Sequence, residues 1–237
     1  MKCIILAAGY ATRLYPLTEN FPKPLLEVGG KPILNHLIED IQSMIDEFVV
    51  VTNHKFADIF TEWAKTRSNL RIIDDLTKTN ETRLGAVKDI QLAAQDIGDD
   101  VLVMAGDNLL DFSLKEFVAF YKEKKTSCVM CHEENDLKKK QKTAIITVDE
   151  KNKILTYEEK PKEPKGNLAV PPFYIYTSED IKRIPDALNE GCGYDAPGSF
   201  AAWLSHRTIM HAYRMSGHRY DIGDLESYEK VKKVFSK

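Results

Sequence analysis

The apolar run Cys3-Ile4-Ile5-Leu6 predicts a buried strand over residues 2–7. From Lys31 to Ile45 the rhythm changes, with Ile33, Leu34, Leu37, Ile38, Ile41 and Ile45 at helical spacing. Short apolar or β-branched runs predict further strands at 48–51, 70–73 and 101–105. Leu84, Val87, Ile90, Ala94 and Ile97 share one side of a helix over 84–97, and Leu114, Phe117, Val118 and Tyr121 mark another. This alternation predicts an α/β fold: a Rossmann-like, mixed and mainly parallel sheet with helices on both faces. In such sheets the binding crevice lies at the carboxyl ends of the strands.

From residue 126 strands predominate, at 127–131, 144–148, 154–158 and 168–176. Helices return at 178–188, 198–206 and 225–235. No repeat or low-complexity linker interrupts the chain, so one domain over 1–237 is expected. The run "DLKKKQK" at 136–142 reads as a solvated loop.

With 237 residues the chain can bury a sizeable core. Its net charge of −3, from 33 basic and 36 acidic residues, argues against nucleic acid as a partner. No apolar stretch reaches bilayer length and no leader pattern precedes the first strand, so no membrane partner and a cytoplasmic location are expected. The four cysteines are then expected to be reduced. "CVMCH" at 128–132 matches a haem-attachment spacing, but a strand would send Cys128 and Cys131 to opposite faces. The six histidines show no ligand spacing, so no zinc site is expected. Trp63 and Trp203 are expected at the core or its edge.

Five stretches carry candidate chemistry. "LAAGYATRLYPLT" follows the first strand. Backbone N–H groups at a tight turn beside Gly9 can take phosphate oxygens, and Arg13 adds a planar cationic fork. An ordinary turn with a surface arginine fits equally well. "FPKPLLEVGGKP" sets Lys23 between Pro22 and Pro24, which presents it from a stiff segment; a solvated lysine is the plainer reading. In "MAGDNLL" a strand ends at Asp107, placed either to hold a metal beside phosphates or simply to cap a turn. "TYEEKPKEPKGN" carries Glu159 and Lys160, suited to sugar hydroxyls and a phosphate or to an exposed strand end. In "RYDIGDLESY", Asp224 caps a helix with Ser227 and Glu226 in its first turn, which leaves Asp221 free as a second carboxylate.

Taken in this order, the stretches resemble the sugar-1-phosphate nucleotidyltransferases, most closely the glucose-1-phosphate thymidylyltransferase branch in a short form without a C-terminal β-helix domain. The resemblance covers residues 1 to about 235, and it implies a fold of the nucleotide-diphospho-sugar transferase type. It also implies transfer of a nucleotidyl group from an NTP, dTTP or UTP favoured, to a sugar 1-phosphate, with release of pyrophosphate. On this resemblance Leu6, Ala7, Ala8 and Gly9 cradle the nucleotide, Arg13 holds the leaving pyrophosphate and Lys23 lies between the reacting phosphates. Asp107 and Asp221 would hold Mg²⁺, Glu159 the sugar and Lys160 its phosphate. Gly85 would lie near the nucleoside and Asn80 would read the base. The partners implied are NTP and sugar 1-phosphate. Relatives of this family are often dimers or tetramers, so a homodimer is possible on the resemblance alone.

The chain departs from the family pattern at several points. The family's turn reads G-x-G-T-R, and Ala11 replaces its second glycine, which is tolerable if φ there is negative. Asn80 stands for a glutamine, and Thr143-Ala144 for an aromatic and a glycine. Pro171-Pro172 replaces a pair that usually includes glycine. These changes leave the base and the sugar open, and Asp195 is a further residue that could approach the substrate. Two rivals remain: a CTP-dependent cytidylyltransferase for phosphocholine or a phosphonate, and a non-catalytic nucleotide-sugar sensor.

Overall fold

The structure, a computed structural model, describes residues 1–235. The first half alternates as the periodicity predicts. Its strands are β1 (Lys2–Leu6), β2 (Glu27–Val28), β3 (Lys31–Pro32), β4 (Glu47–Thr52), β5 (Leu70–Asp74), β6 (Val101–Ala105) and β7 (Asn108–Leu110). Its helices are α1 (Ile33–Ile41), α2 (Ala57–Ala64), α3 (Ala86–Ala94) and α4 (Lys115–Lys124). The second half adds β8 (Cys128–Glu133), α5 (Leu137–Lys140), β9 (Ala144–Val148), β10 (Ile154–Glu159), β11 (Leu168–Val170) and β12 (Phe173–Tyr176). It ends with α6 (Ser178–Ile181), α7 (Ile184–Asn189), α8 (Gly198–Ser205), β13 (His211–Arg214), β14 (Arg219–Asp221) and α9 (Leu225–Val234).

Ten strands share one mixed sheet, in the order β10-β9-β11-β8-β12-β6-β1-β4-β5, with β13 added to β8. β6, β1, β4 and β5 run parallel. β12 joins this block antiparallel to β6 and β8, and the remaining pairings are antiparallel except β13 with β8. Alternation along β1 explains the layering. Ile4 packs with Val49, Val51 and Val103 under α3, α7 and α8, while Cys3 and Ile5 pack with Phe48, Val50 and Leu102 under α1, α2 and α4. Cys128 and Cys131 fall into these opposite layers, so the "CVMCH" spacing is that of a strand. Trp63 and Trp203 sit half-buried at the edges of the two layers.

A third, smaller cluster lies outside the sheet. Leu14, Val28, Ile33, Leu109, Ile222, Tyr228 and Val231 pack α9 against the β2–β3 hairpin and the β7–β14 ribbon. Asp224 caps α9 in a capping box with Ser227, as the sequence indicates.

Several expectations need correction. The "DLKKKQK" stretch is a short helix, α5, because Asp136 accepts from the backbone N–H groups of Lys138 and Lys139. The strand expected over 168–176 is two strands, since Pro171 and Pro172 cannot donate to the ladder. The helix expected over 178–188 is likewise two, α6 and α7, with Pro185 in the first turn of α7. The spacing reading misses α2, β2, β3, β7, β13 and β14, all short or bounded by polar residues. Among the described residues, no helix is long and apolar enough to cross a membrane.

Gly29 and Gly30 turn the β2–β3 hairpin at φ of +60° and +80°. A Cβ on Gly29 would lie 2.7 Å from the carbonyl oxygen of Phe235, whereas one on Gly30 would meet nothing within 4 Å. Gly29→Ala is therefore expected to cost more than Gly30→Ala, about 2 against about 1 kcal/mol. Thermal denaturation of the two variants checks the order.

Candidate active site

The turn after β1 is built from both sides. Asn53, fully buried after β4, donates from Nδ2 to the Ala8 carbonyl at 3.0 Å, while its Oδ1 accepts from the Phe56 N–H. Gly9 faces open space: a Cβ there would meet nothing within 4 Å, which leaves room for a ligand against the backbone. Ala11 has φ 48° and ψ 40°, so the condition under which alanine would be harmless is not met. The left-handed residue is held because its carbonyl accepts from the Leu14 N–H at 3.0 Å and from the buried Thr18 hydroxyl at 2.8 Å. That geometry starts the tight 3₁₀ turn that presents Arg13.

Lys23 is not a solvated lysine. It is only 9% exposed, and its ammonium lies 2.6 Å from Asp107 Oδ2 while donating to the carbonyl oxygen of Ile222. The stiff Pro22-Lys23-Pro24 segment thus reaches both the end of β6 and the segment that leads into α9. Asp107 Oδ1 also accepts from the Asn108 side chain at 2.7 Å. Asp221 comes close through the β7–β14 ribbon, which pairs it with Asn108. Arg219 steadies the ribbon, with Nη1 donating to Asn108 Oδ1 and standing 4.0 Å from Asp221.

Two cavities meet here. The first, of about 320 Å³, is lined by Leu6, Ala7, Ala8, Gly9, Arg13, Lys23, Gly85 and Asp107, all of them predicted site residues. The second, of about 980 Å³, shares Leu6 and Asp107 with it and adds Asp221, Thr143 and Pro172. Lys139 and Lys142, in and just after α5, also line the second cavity. Among the described residues no group of three acidic, histidine or cysteine side chains forms a ready metal cage. Asp107 and Asp221, facing one cavity, are instead the hard oxygen donors that suit a cation shared with phosphates.

Glu159, Lys160 and Asn80 line neither cavity. Glu159 is tucked beside α8, with Oε2 unpartnered, and a side chain on Gly198 would collide with it. Burial pushes the Glu159 carboxyl above the ordinary range, with Lys160 pulling the other way. Lys160 adopts φ 46° where the chain leaves β10. Asn80 sits in a 3₁₀ turn beside Arg83, which ion-pairs with Asp195 at 2.8 Å. Arg83 and Asp195 do line the first cavity. Gly85, at φ 96°, lies so close under Tyr194 that a Cβ would be 2.7 Å from its carbonyl oxygen.

The sequence reading misses Asn53, Asp75, Arg83 and Asp89. Asp89 leaves a trace: Ala86, Asp89, Ile90 and Ala93 share one face of α3, so an acid stands where an apolar residue belongs.

A family described as "Nucleotidyl transferase" matches residues 2–237. The chain is 28% identical over 235 residues to a UTP–glucose-1-phosphate uridylyltransferase, AglF, of Haloferax volcanii, covering 98% of this chain and 95% of that protein. It is 31% identical over 185 residues to the bifunctional protein GlmU of Methanocaldococcus jannaschii, covering 78% of this chain but only 42% of that longer protein. In structure it resembles an apo UDP-glucose pyrophosphorylase, with a TM-score of 0.82 at 20% identity over 99% of this chain and 98% of that one. This last likeness shows the fold alone.

Ala11→Gly removes the left-handed alanine, and it is expected to raise stability by up to about 1 kcal/mol, less the entropy glycine adds to the unfolded chain. Chemical denaturation of the variant checks the sign.

Proposed function

The chain belongs to the nucleotidyl transferase family, and on that premise we propose that it makes an NDP-sugar and pyrophosphate from an NTP, dTTP or UTP favoured, and a sugar 1-phosphate. The observation that carries this reading is the Lys23–Asp107 contact at the meeting of the two cavities. A cation and a carboxylate there can serve phosphates arriving from both sides.

In the proposed reaction an oxygen of the sugar 1-phosphate attacks the α-phosphorus in line. The new P–O bond forms as the bond to the β-phosphate oxygen breaks, and pyrophosphate leaves with that electron pair. The backbone of residues 6–9 receives the nucleotide, and Arg13 stabilises the departing pyrophosphate. Lys23, already held in place by Asp107 and Ile222, neutralises charge between the reacting groups. Asp107 and Asp221 would hold a divalent cation, Mg²⁺ on the chemistry of hard oxygen donors. When bound, it would offset phosphate charge and polarise the α-phosphate. Glu159 and Lys160, which line neither cavity, are assigned to the sugar and its phosphate on the family resemblance. Thr143, whose carbonyl accepts from the Lys160 N–H at 3.2 Å, lines the second cavity.

Pyrophosphate release with Mg²⁺ tests this across dTTP, UTP, CTP, GTP and ATP against several sugar 1-phosphates and phosphocholine. Sugar-dependent release is expected, falling about 10²–10³-fold in Asp107→Asn and in Lys23→Met. Release confined to CTP with phosphocholine would assign the rival transferase. Nucleotide binding without release would assign a sensor.

A further inference from the structure

Two acids in the wall of the first cavity have no part in the scheme above. Asp75 follows β5 and Asp89 lies in the first turn of α3, and both line the cavity on the side of Gly85 and Ala86. Asp75 is 7% exposed and Asp89 is 5% exposed. Each keeps a buried oxygen without a partner: Asp75 Oδ2 and Asp89 Oδ1. Asp75 Oδ1 is fixed by the Thr77 N–H at 2.8 Å and the Thr77 hydroxyl at 2.7 Å. No packing need explains two adjacent buried carboxyls, and leaving their oxygens unmatched costs stability.

We propose that Asp75 and Asp89 are specificity-determining residues that read the nucleobase, together offering an O–H donor and a carboxylate acceptor to the C=O and N–H of an imide edge such as uracil or thymine. This deepens the proposed function and rests on it, since the nucleoside is assigned to the Gly85 end.

The charge arrangement favours a proton on Asp89. Burial and then the negative Asp75 push the Asp89 carboxyl up to about 7, and burial raises Asp75 as well. The other elements against α3 meet it with apolar side chains, among them Ile4 of β1, Val49 and Val51 of β4, and Ile184 and Ala187 of α7. Arg83 and Asp195, on the same cavity, pair with each other, while Asp74 and His54 act on Asp75. Asp89 therefore holds its proton up to a pH of about 7. Below that pH Asp89 donates to a base carbonyl while Asp75 accepts from the imide N–H. As pH rises through about 7 the donor is lost, so the affinity for an imide base falls.

The test is the KM for UTP and dTTP from pH 6 to 8.5, in the wild type, Asp89→Asn and Asp75→Asn, with the KM for sugar 1-phosphate measured alongside. The amide of Asp89→Asn keeps a donor at every pH, so the rise in nucleotide KM seen in wild type should flatten. Asp75→Asn puts a donor against the imide N–H and should raise nucleotide KM about tenfold. Sugar-phosphate KM should move little in either. The wild-type pH profile persisting in Asp89→Asn would overturn the proposal, as would a change confined to the sugar-phosphate KM. A thermal shift with Mg²⁺ alone that vanishes in Asp89→Asn would also overturn it, by marking a cation site instead. No pyrophosphate release from the wild type with any NTP would fail the transferase reading itself, a separate outcome.

Discussion

The ammonium of Lys23 is the point on which the site turns. It is almost buried, and a buried cation is stable only if its protons are taken up. Asp107 and the Ile222 carbonyl take them, and so fix where three remote segments meet: the proline-bounded loop, the end of β6 and the approach to α9. The third apolar cluster gathers around this meeting. Leu14 comes from the opening turn, Leu109 from β7, and Ile222 itself packs beside Tyr228 and Val231. The polar contact gives the geometry, and the cluster gives the burial that makes the contact strong.

The parallel half of the sheet was legible because β1, β4 and β6 are largely continuous apolar runs, which central strands require, and because the edge strand β5 still carries Leu70, Ile72 and Ile73. The third cluster was not. β7 and β14 are three residues each, and Arg219-Tyr220-Asp221 shows no alternation, since its role is to carry Asp221 to Asn108 and not to fill a core. The site divides in the same way. Residues 6–9, Arg13, Lys23, Gly85 and Asp107 lie on local motifs, and the structure gathers them at one cavity. Asn80, Glu159 and Lys160 also lie on motifs, yet they stand outside both cavities. Asp75 and Asp89 belong to no motif, because their meaning comes from facing one cavity from the end of β5 and the start of α3.

Three of the positive-φ residues lie on the motifs expected to meet ligand. Ala11, Lys160 and Gly85 all hold positive φ, and each is pinned by a neighbour: Thr18 against Ala11, Thr143 against Lys160 and Tyr194 against Gly85. Strain of this kind persists only where surrounding contacts fix it. Ala11 and Gly85 line the first cavity and Thr143 the second, so part of each wall is held by such contacts.

The partner that Lys23 needs, the carbonyl of Ile222, lies 199 positions further along the chain. On the ribosome the parallel sheet can gather its apolar strands long before that partner exists. Until residues 219–222 have been made, Lys23 has only Asp107 to face and β7 has no ribbon partner, and until α9 follows the cluster around Leu14 is incomplete. A nascent chain would thus present a sheet without a finished candidate site, and a polypeptide released early would be incomplete there rather than at its core.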